Sequence, residues 1–159
     1  MNKKPIVLFD IDYTLFNIDL YKETLLKEFS LYKEVGQVLK NLSKFINLGI
    51  FSEGDFWFQK NKLINTDIQK YFEEKHTHIV LDKTKEIEKI LGKYKDAKLF
   101  LIDDKATILH DVKKHFPSVF TVWVKRGRYA QNQKEIQGFK PDSIVYDLKN
   151  IVSIVKSKI

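Results

Sequence analysis

Asp10 and Asp12 stand two residues apart, directly after the apolar run Pro5-Ile6-Val7-Leu8-Phe9. On a strand or its extended exit, residues at that spacing project to the same side. A second pair of acids, Asp103-Asp104, follows the run Lys98-Leu99-Phe100-Leu101-Ile102. Carboxylates crowded together repel one another unless a cation neutralises them. The chain has no cysteine, so any metal must be held by oxygen or imidazole. Oxygen donors of this kind suit a hard divalent cation, Mg²⁺ more than Zn²⁺.

Two further residues complete a chemical set. Ser52 closes the run Leu48-Gly49-Ile50-Phe51, and Lys83 comes shortly after His78-Ile79-Val80-Leu81. A hydroxyl, an ammonium group and a divalent cation together are donors for the oxygens of a phosphoryl group. Asp10 could attack such a group without a helper base, because a free aspartate with a pKa of about 3.9 is ionised at neutral pH. The product would be an aspartyl-phosphate, a form of covalent catalysis. Asp12 could then protonate the leaving oxygen and later take a proton from the attacking water.

The elements that must position these residues are legible from hydrophobic pattern. The four runs above are joined by Val119-Phe120-Thr121-Val122-Trp123-Val124 and Ser143-Ile144-Val145-Tyr146. Short continuous apolar runs read as strands buried on both faces. Between them lie stripes with helical spacing: Val35, Val38, Leu39, Leu42 and Phe45; Ile87, Ile90 and Leu91; Ile108, Leu109, Val112 and Phe116; and Leu148, Ile151, Val152 and Val155. Gly49, Gly92 and Pro117 suit helix exits. Strands alternating with helices predict right-handed crossovers and a parallel sheet. The expected fold is therefore α/β: a single Rossmann-like domain over 1–159, with a central parallel sheet of five to six strands and helices on both faces. In such a sheet ligands bind beyond the carboxyl ends of the strands. Asp10, Ser52, Lys83 and Asp103-Asp104 all fall at or just past those ends.

Composition narrows the classes. The chain has 159 residues, 43% of them hydrophobic and 31% charged, as a globular domain does. No apolar run approaches the roughly 20 residues of a membrane-spanning helix, and acids at 10 and 12 would spoil a signal-peptide core. The absence of cysteine suits a reducing cytoplasm. A net charge of +7 favours anionic partners, although scattered lysines serve solubility too. Lys125-Arg126-Gly127-Arg128 is the densest basic cluster; Arg126 and Arg128 either reach substrate phosphate or line a solvated loop. His76 and His78, two apart, read as structural rather than as metal ligands. Phe51, Phe56, Trp57 and Phe58 read as core or site wall.

Phe9-Asp10-Ile11-Asp12-Tyr13-Thr14-Leu15-Phe16 resembles the first motif of the haloacid dehalogenase (HAD) superfamily, Asp-x-Asp-x-Thr after a hydrophobic strand. Ser52 resembles the second motif, Lys83 in Val80-Leu81-Asp82-Lys83-Thr84 the third, and Leu101-Ile102-Asp103-Asp104 the fourth. Lys140-Pro141-Asp142 through Leu148 resembles the terminal strand and helix of many members, so the likeness covers nearly the whole chain. It implies a phosphohydrolase with Asp10 as nucleophile, Asp12 as acid/base, and Ser52 and Lys83 on phosphate. It also implies Mg²⁺ held by the Asp10 carboxylate, the Asp12 carbonyl and an acid of the fourth motif, Asp104 directly with Asp103 in support. Dehalogenases of the family lack an acid at the Asp12 position, which favours phosphoryl chemistry. Two features depart from the pattern: Glu53 places a negative charge beside the anion site, and Lys62, in a predicted helix, rivals Lys83.

Family members commonly carry a cap. Here Asn17 to Tyr32 leaves room for one helix or a small lid, and Ser52 to Lys83 leaves none for a cap domain. An open site admits larger phosphorylated substrates: a nucleotide, a nucleic-acid end or a phosphoprotein. Two other classes compete. One is a non-catalytic module binding nucleic acid or protein through its basic face. The other is a phosphoacceptor signalling domain of the response-regulator type, in which the acceptor lies on a middle strand.

Overall fold

The computed structural model describes residues 3–159. Met1 and Asn2, included in the expected domain, lie outside the described residues. Six strands form one sheet: β1 (Lys3–Phe9), β2 (Asn47–Glu53), β3 (Thr77–Val80), β4 (Ala97–Asp103), β5 (Phe120–Val124) and β6 (Ser143–Val145). Every pairing is parallel and the order is β3-β2-β1-β4-β5-β6. The helices are α1 (Ile18–Glu23), α2 (Val35–Leu42), α3 (Phe56–Asn65), α4 (Lys83–Leu91), α5 (Ala106–His115), α6 (Gly127–Asn132) and α7 (Ile151–Lys156). The single α/β domain with a parallel sheet expected from the hydrophobic pattern is the one observed.

Alternation along β1 divides the core between two layers. Val7 and Phe9 pack with Val38, Leu39 and Leu42 of α2 and with Ile151 and Val155 of α7. Ile6 and Leu8 pack on the other face with Ile87, Ile90 and Leu91 of α4 and Ile108, Leu109 and Val112 of α5. Both faces of the central strands are thus covered by helices, which is why those strands are apolar without a break. Among the described residues, no helix is long and apolar enough to cross a membrane.

The strand order has a functional consequence. The chain builds β1, steps outward to β2 and β3, then returns across β1 to lay down β4, β5 and β6. Loops leaving β1 and β4 therefore diverge at a topological switch point, where open parallel sheets form their ligand crevice. Phe9 pairs with Ile102, and the Asp10 N–H donates to the Ile102 carbonyl at 2.9 Å. That register sets Asp10 beside Asp103. A response regulator has the order 2-1-3-4-5, so the observed order sets that reading aside.

Some boundaries differ from the pattern-based expectation. Helix α2 ends at Leu42, short of Phe45, and Leu148 precedes α7. Leu81 lies past β3 and is exposed. Gly49 lies inside β2, as its apolar run indicated, and does not itself end the helix before it. A Cβ there would meet the His76 carbonyl at 2.4 Å and Leu8 Cδ2 at 2.6 Å, so the close approach of backbone to backbone requires glycine. His76 Nδ1 and His78 Nε2 share the Tyr94 hydroxyl, at 3.0 and 2.6 Å, which gives both rings a structural partner.

Gly49→Ala is expected to destabilise the fold by about 1–3 kcal/mol, the usual penalty for overpacking. Urea denaturation measures it. An unchanged midpoint would show that β2 and the His76 turn have slack that the packing does not indicate.

Candidate active site

The switch point collects every site residue named from the sequence. Asp10 follows β1, Ser52 lies near the end of β2, Asp103 closes β4 and Asp104 follows it. Lys83 opens α4 rather than following β3 directly, with Asp82 capping the helix by accepting from the Lys85 N–H at 3.3 Å. A lysine in the first turn of a helix is unfavourably placed for the dipole, so its position is set by its partners. Its Nζ donates to Asp10 Oδ1 and Asp103 Oδ2, each at 2.6 Å, and it is buried.

The three acids Asp10, Asp103 and Asp104 offer oxygens that all lie within 4.8 Å of one another. Three buried carboxylates facing one ammonium leave an excess of negative charge. Burial first, and the neighbouring acids after it, push Asp10 up to about 7 despite the opposing Lys83. Ionisation of Asp10 at neutral pH therefore leans on neighbouring positive charge, a dependence on burial that the sequence does not display. Burial and the charges of Asp10 and Asp103 likewise raise Asp104 well above the usual carboxylate range. Burial opposes the charge on Lys83, but Asp10 and Asp103 outweigh it and hold that group above the ordinary lysine value.

The two members of the fourth motif differ. Asp103 uses both oxygens within the protein, Oδ2 accepting from Lys83 and Oδ1 from the Lys105 N–H at 2.8 Å. Asp104 Oδ2 is buried and has no hydrogen-bond partner among the described residues. A buried, unpartnered carboxylate oxygen beside two other acids is costly, and it fits a hard cation. The Asp104 carbonyl is fixed from behind by Trp123 Nε1 at 2.9 Å and Gln133 Nε2 at 2.6 Å.

The loop after β1 is a compact turn. The N–H groups of Leu15 and Phe16 donate to the Ile11 carbonyl, both at 2.9 Å, and Tyr13 has φ 60°. A non-glycine residue in that region is strained unless its surroundings enforce it. Here Tyr13 stacks on Tyr129, with ring centroids 6.1 Å apart, and donates from its hydroxyl to Asp19 Oδ1 at 3.1 Å. Gly127, at φ 75°, lets the ring in: a Cβ there would lie 2.2 Å from Tyr13 Cδ1.

Arg126 and Arg128 both have partners within the protein. Arg126 donates to the Thr14 carbonyl and Glu34, with its guanidinium carbon 3.6 Å from the Tyr32 ring centre. Arg128 pairs with Glu23 at 2.7 Å. Glu53 is not a bare charge beside the site. It accepts from the Lys83 N–H at 2.9 Å and Lys105 Nζ at 3.2 Å. Burial would raise its carboxyl, but these donors hold it below the usual range.

An open cavity of about 420 Å³ lies over the acids. Asp10, Asp12, Glu53, Lys62, Asp104 and Lys105 supply its polar wall, and Tyr13, Ile18, Phe58 and Tyr129 its apolar one, with Lys22 alongside. Residues 17–32 contribute α1, from which Ile18 and Lys22 reach the cavity. Of the aromatic group, Phe51 is core and Phe58 is wall, but Phe56 and Trp57 are exposed on the outer face of α3, contrary to expectation.

Sequence reasoning named Lys62 as a rival and did not name Gln59 or Lys105. Lys62 is buried, with Nζ 2.7 Å from Asp12 Oδ1. Gln59, one helical turn earlier, donates from Nε2 to Ser52 Oγ at 2.9 Å. The two lysines lie on different carboxylates: Lys83 adjoins Asp10 and Lys62 adjoins Asp12. The i, i+3 spacing of Gln59 and Lys62 was the available signal.

No protein-family model and no curated protein matches the chain. Solved structures do. A candidate haloacid dehalogenase-like hydrolase from Burkholderia xenovorans superposes with TM-score 0.80 at 21% identity, over 98% of this chain and 98% of that one. The fold is that of the haloacid dehalogenase-like hydrolases. A candidate HAD hydrolase from Bacillus subtilis, bound to magnesium, gives TM-score 0.74 at 12% identity, over 96% of this chain and 99% of that one. The L-2-haloacid dehalogenase of Xanthobacter autotrophicus gives 0.70 at 12%, over 99% and 100%. The HAD fold thus carries both a magnesium-bound protein and a dehalogenase among its solved members, and the chemistry of this chain must be argued from its own residues.

In chelator, Asp104→Asn is expected to raise the thermal midpoint, by roughly 2–4 °C for each kcal/mol of repulsion relieved. Added Mg²⁺ should then stabilise the parent protein but not the variant. A variant that is less stable in chelator, or still stabilised by Mg²⁺, would contradict this account of Asp104.

Proposed function

We propose that the chain is a Mg²⁺-dependent phosphatase of the HAD type, hydrolysing a phosphate monoester through an aspartyl-phosphate on Asp10. The observation that carries the proposal is the buried acid cluster, in which Asp104 Oδ2 has no partner among the described residues while Lys83 bridges Asp10 and Asp103. The Asp10 and Asp104 carboxylates and the Asp12 carbonyl would hold the cation, with Asp103 in support through Lys83. Bound there, Mg²⁺ supplies positive charge that keeps Asp10 ionised and neutralises the phosphoryl oxygens.

The residues then divide the work. An Asp10 oxygen attacks phosphorus, and the bond from phosphorus to the leaving oxygen breaks with its electron pair going to that oxygen. Asp12 supplies the proton that the leaving group needs. In the second half Asp12 takes a proton from water, whose oxygen attacks phosphorus and breaks the bond to Asp10, releasing inorganic phosphate. Lys83 and Ser52 stabilise the charge carried by the phosphoryl group and the Asp10 carboxylate. The Ser52 hydroxyl accepts from Gln59, so its own O–H is the group that would donate to phosphate.

Asp12 is what favours phosphoryl transfer over dehalogenation. A halide leaves as an anion and needs no proton, whereas an alkoxide leaving group does. The open cavity, with aromatic and lysine walls, suits a large phosphorylated substrate such as a nucleotide, a nucleic-acid end or a phosphoprotein.

p-Nitrophenyl phosphate should be hydrolysed with Mg²⁺ and not in chelator, and Asp10→Asn should lower turnover by roughly 10⁴-fold or more, as loss of a nucleophile does. Undiminished turnover by that variant would remove Asp10 from its role. Nucleic-acid binding indifferent to both Mg²⁺ and Asp10→Asn, with no hydrolysis, would favour a binding module instead.

A further inference from the structure

Lys62 is 1% exposed, in a helix whose outer face is solvated. Burying an ammonium group costs several kcal/mol unless its charge and its donors are matched. Its Nζ donates to Asp12 Oδ1 and to Gln59 Oε1, each at 2.7 Å, and lies 4.6 Å from the centre of the Phe58 ring. Gln59, 2% exposed, turns its amide nitrogen to Ser52 Oγ at 2.9 Å and, more weakly, to Asp12 Oδ2 at 3.3 Å. The orientation of that amide follows from the network: reversed, it would set an NH₂ group against the Lys62 ammonium.

The burial is asymmetric. The Lys62 side chain is 2% exposed but that of Asp12 is 32%. Lys62 borders the cavity yet is shielded from solvent, whereas Asp12 beside it is partly exposed. One oxygen of Asp12 is pinned by Lys62, and the other, Oδ2, has only the long contact to Gln59 among the described residues. Lys83 already occupies the position beside Asp10, so the two lysines lie on different carboxylates.

We infer that Lys62 and Gln59 are positioning residues: together they fix the Asp12 carboxyl so that Oδ2 meets the leaving oxygen, and they tie its placement to Ser52. This inference rests on the phosphatase reading. Lys62 transfers no proton and does not touch the phosphoryl group. The proton on Asp12 Oδ2 passes to the leaving oxygen as its bond to phosphorus breaks. Misplacing an acid by about 1 Å can lower a rate about 10²-fold. The loss must fall on substrates whose leaving group needs that proton.

The experiment compares kcat/KM for p-nitrophenyl phosphate, whose leaving group departs as a stable anion, with that for glycerol 2-phosphate, whose alkoxide does not. It also measures the inhibition constant of inorganic phosphate. Lys62→Met should lower the alkyl value roughly 10²-fold and the aryl value less than about tenfold, with phosphate inhibition unchanged. Gln59→Leu should show the same preference more weakly, and Lys62→Arg should recover part of the alkyl activity. Thermal unfolding identifies any variant that fails to fold, in which case Gln59→Leu carries the test. Equal losses on both substrates, or weaker phosphate inhibition in Lys62→Met, would overturn the inference and leave the phosphatase reading standing. Parent activity insensitive to Asp10→Asn would remove both.

Discussion

The structure depends on one ammonium group placed among carboxylates that would otherwise drive each other apart. Lys83 sits 2.6 Å from both Asp10 and Asp103, inside a cluster that also contains Asp104. In water such contacts are weak, but buried charges are screened far less. One cation against three acids holds the cluster together and still leaves it electron-rich. A multivalent cation would offset what remains. The strand order makes the crowding unavoidable: β1 and β4 are neighbours, and their carboxyl ends deliver acids side by side.

Much of the surrounding polar structure exists to hold loops that the sheet alone would leave free. Arg126 reaches from the segment after β5 to the Thr14 carbonyl of the first-motif turn, and Glu34 anchors it while accepting from the Leu148 N–H at 3.0 Å. Trp123 and Gln133 hold the Asp104 carbonyl. Glu53 accepts from the Lys83 N–H and from Lys105. Each contact joins residues far apart in the chain, so the reacting groups inherit the rigidity of several elements. The cavity above them is open, with Tyr13, Phe58 and Tyr129 on its walls.

The fold was largely legible because buried parallel strands leave unbroken apolar runs that end abruptly at polar residues. Asp10, Ser52 and the Asp103-Asp104 pair were found by that rule alone. What the sequence hid were properties of depth and direction. It could not show that Asp103 spends both oxygens on Lys83 and Lys105 while Asp104 keeps one free, since the two are chemically identical neighbours. The run around Gly49 read as a strand, but the reason for glycine there stayed hidden, because the close backbone approach involves His76, 27 residues away along the chain. Lys62 looked like a competitor to Lys83, because a helical lysine reads as solvated until its burial is seen. Arg126 looked as ready for phosphate as for a carbonyl. Short helices such as α6 carry no stripe long enough to recognise.

The most direct measurement is a crystal structure grown with Mg²⁺ and beryllofluoride, a mimic of a phosphoryl group on a carboxylate. The account predicts beryllofluoride on an Asp10 oxygen, with Mg²⁺ beside it touching Asp104 and the Asp12 carbonyl. Mg²⁺ bound away from Asp104, or an Asp10 that stays free while the ions occupy another part of the molecule, would contradict it.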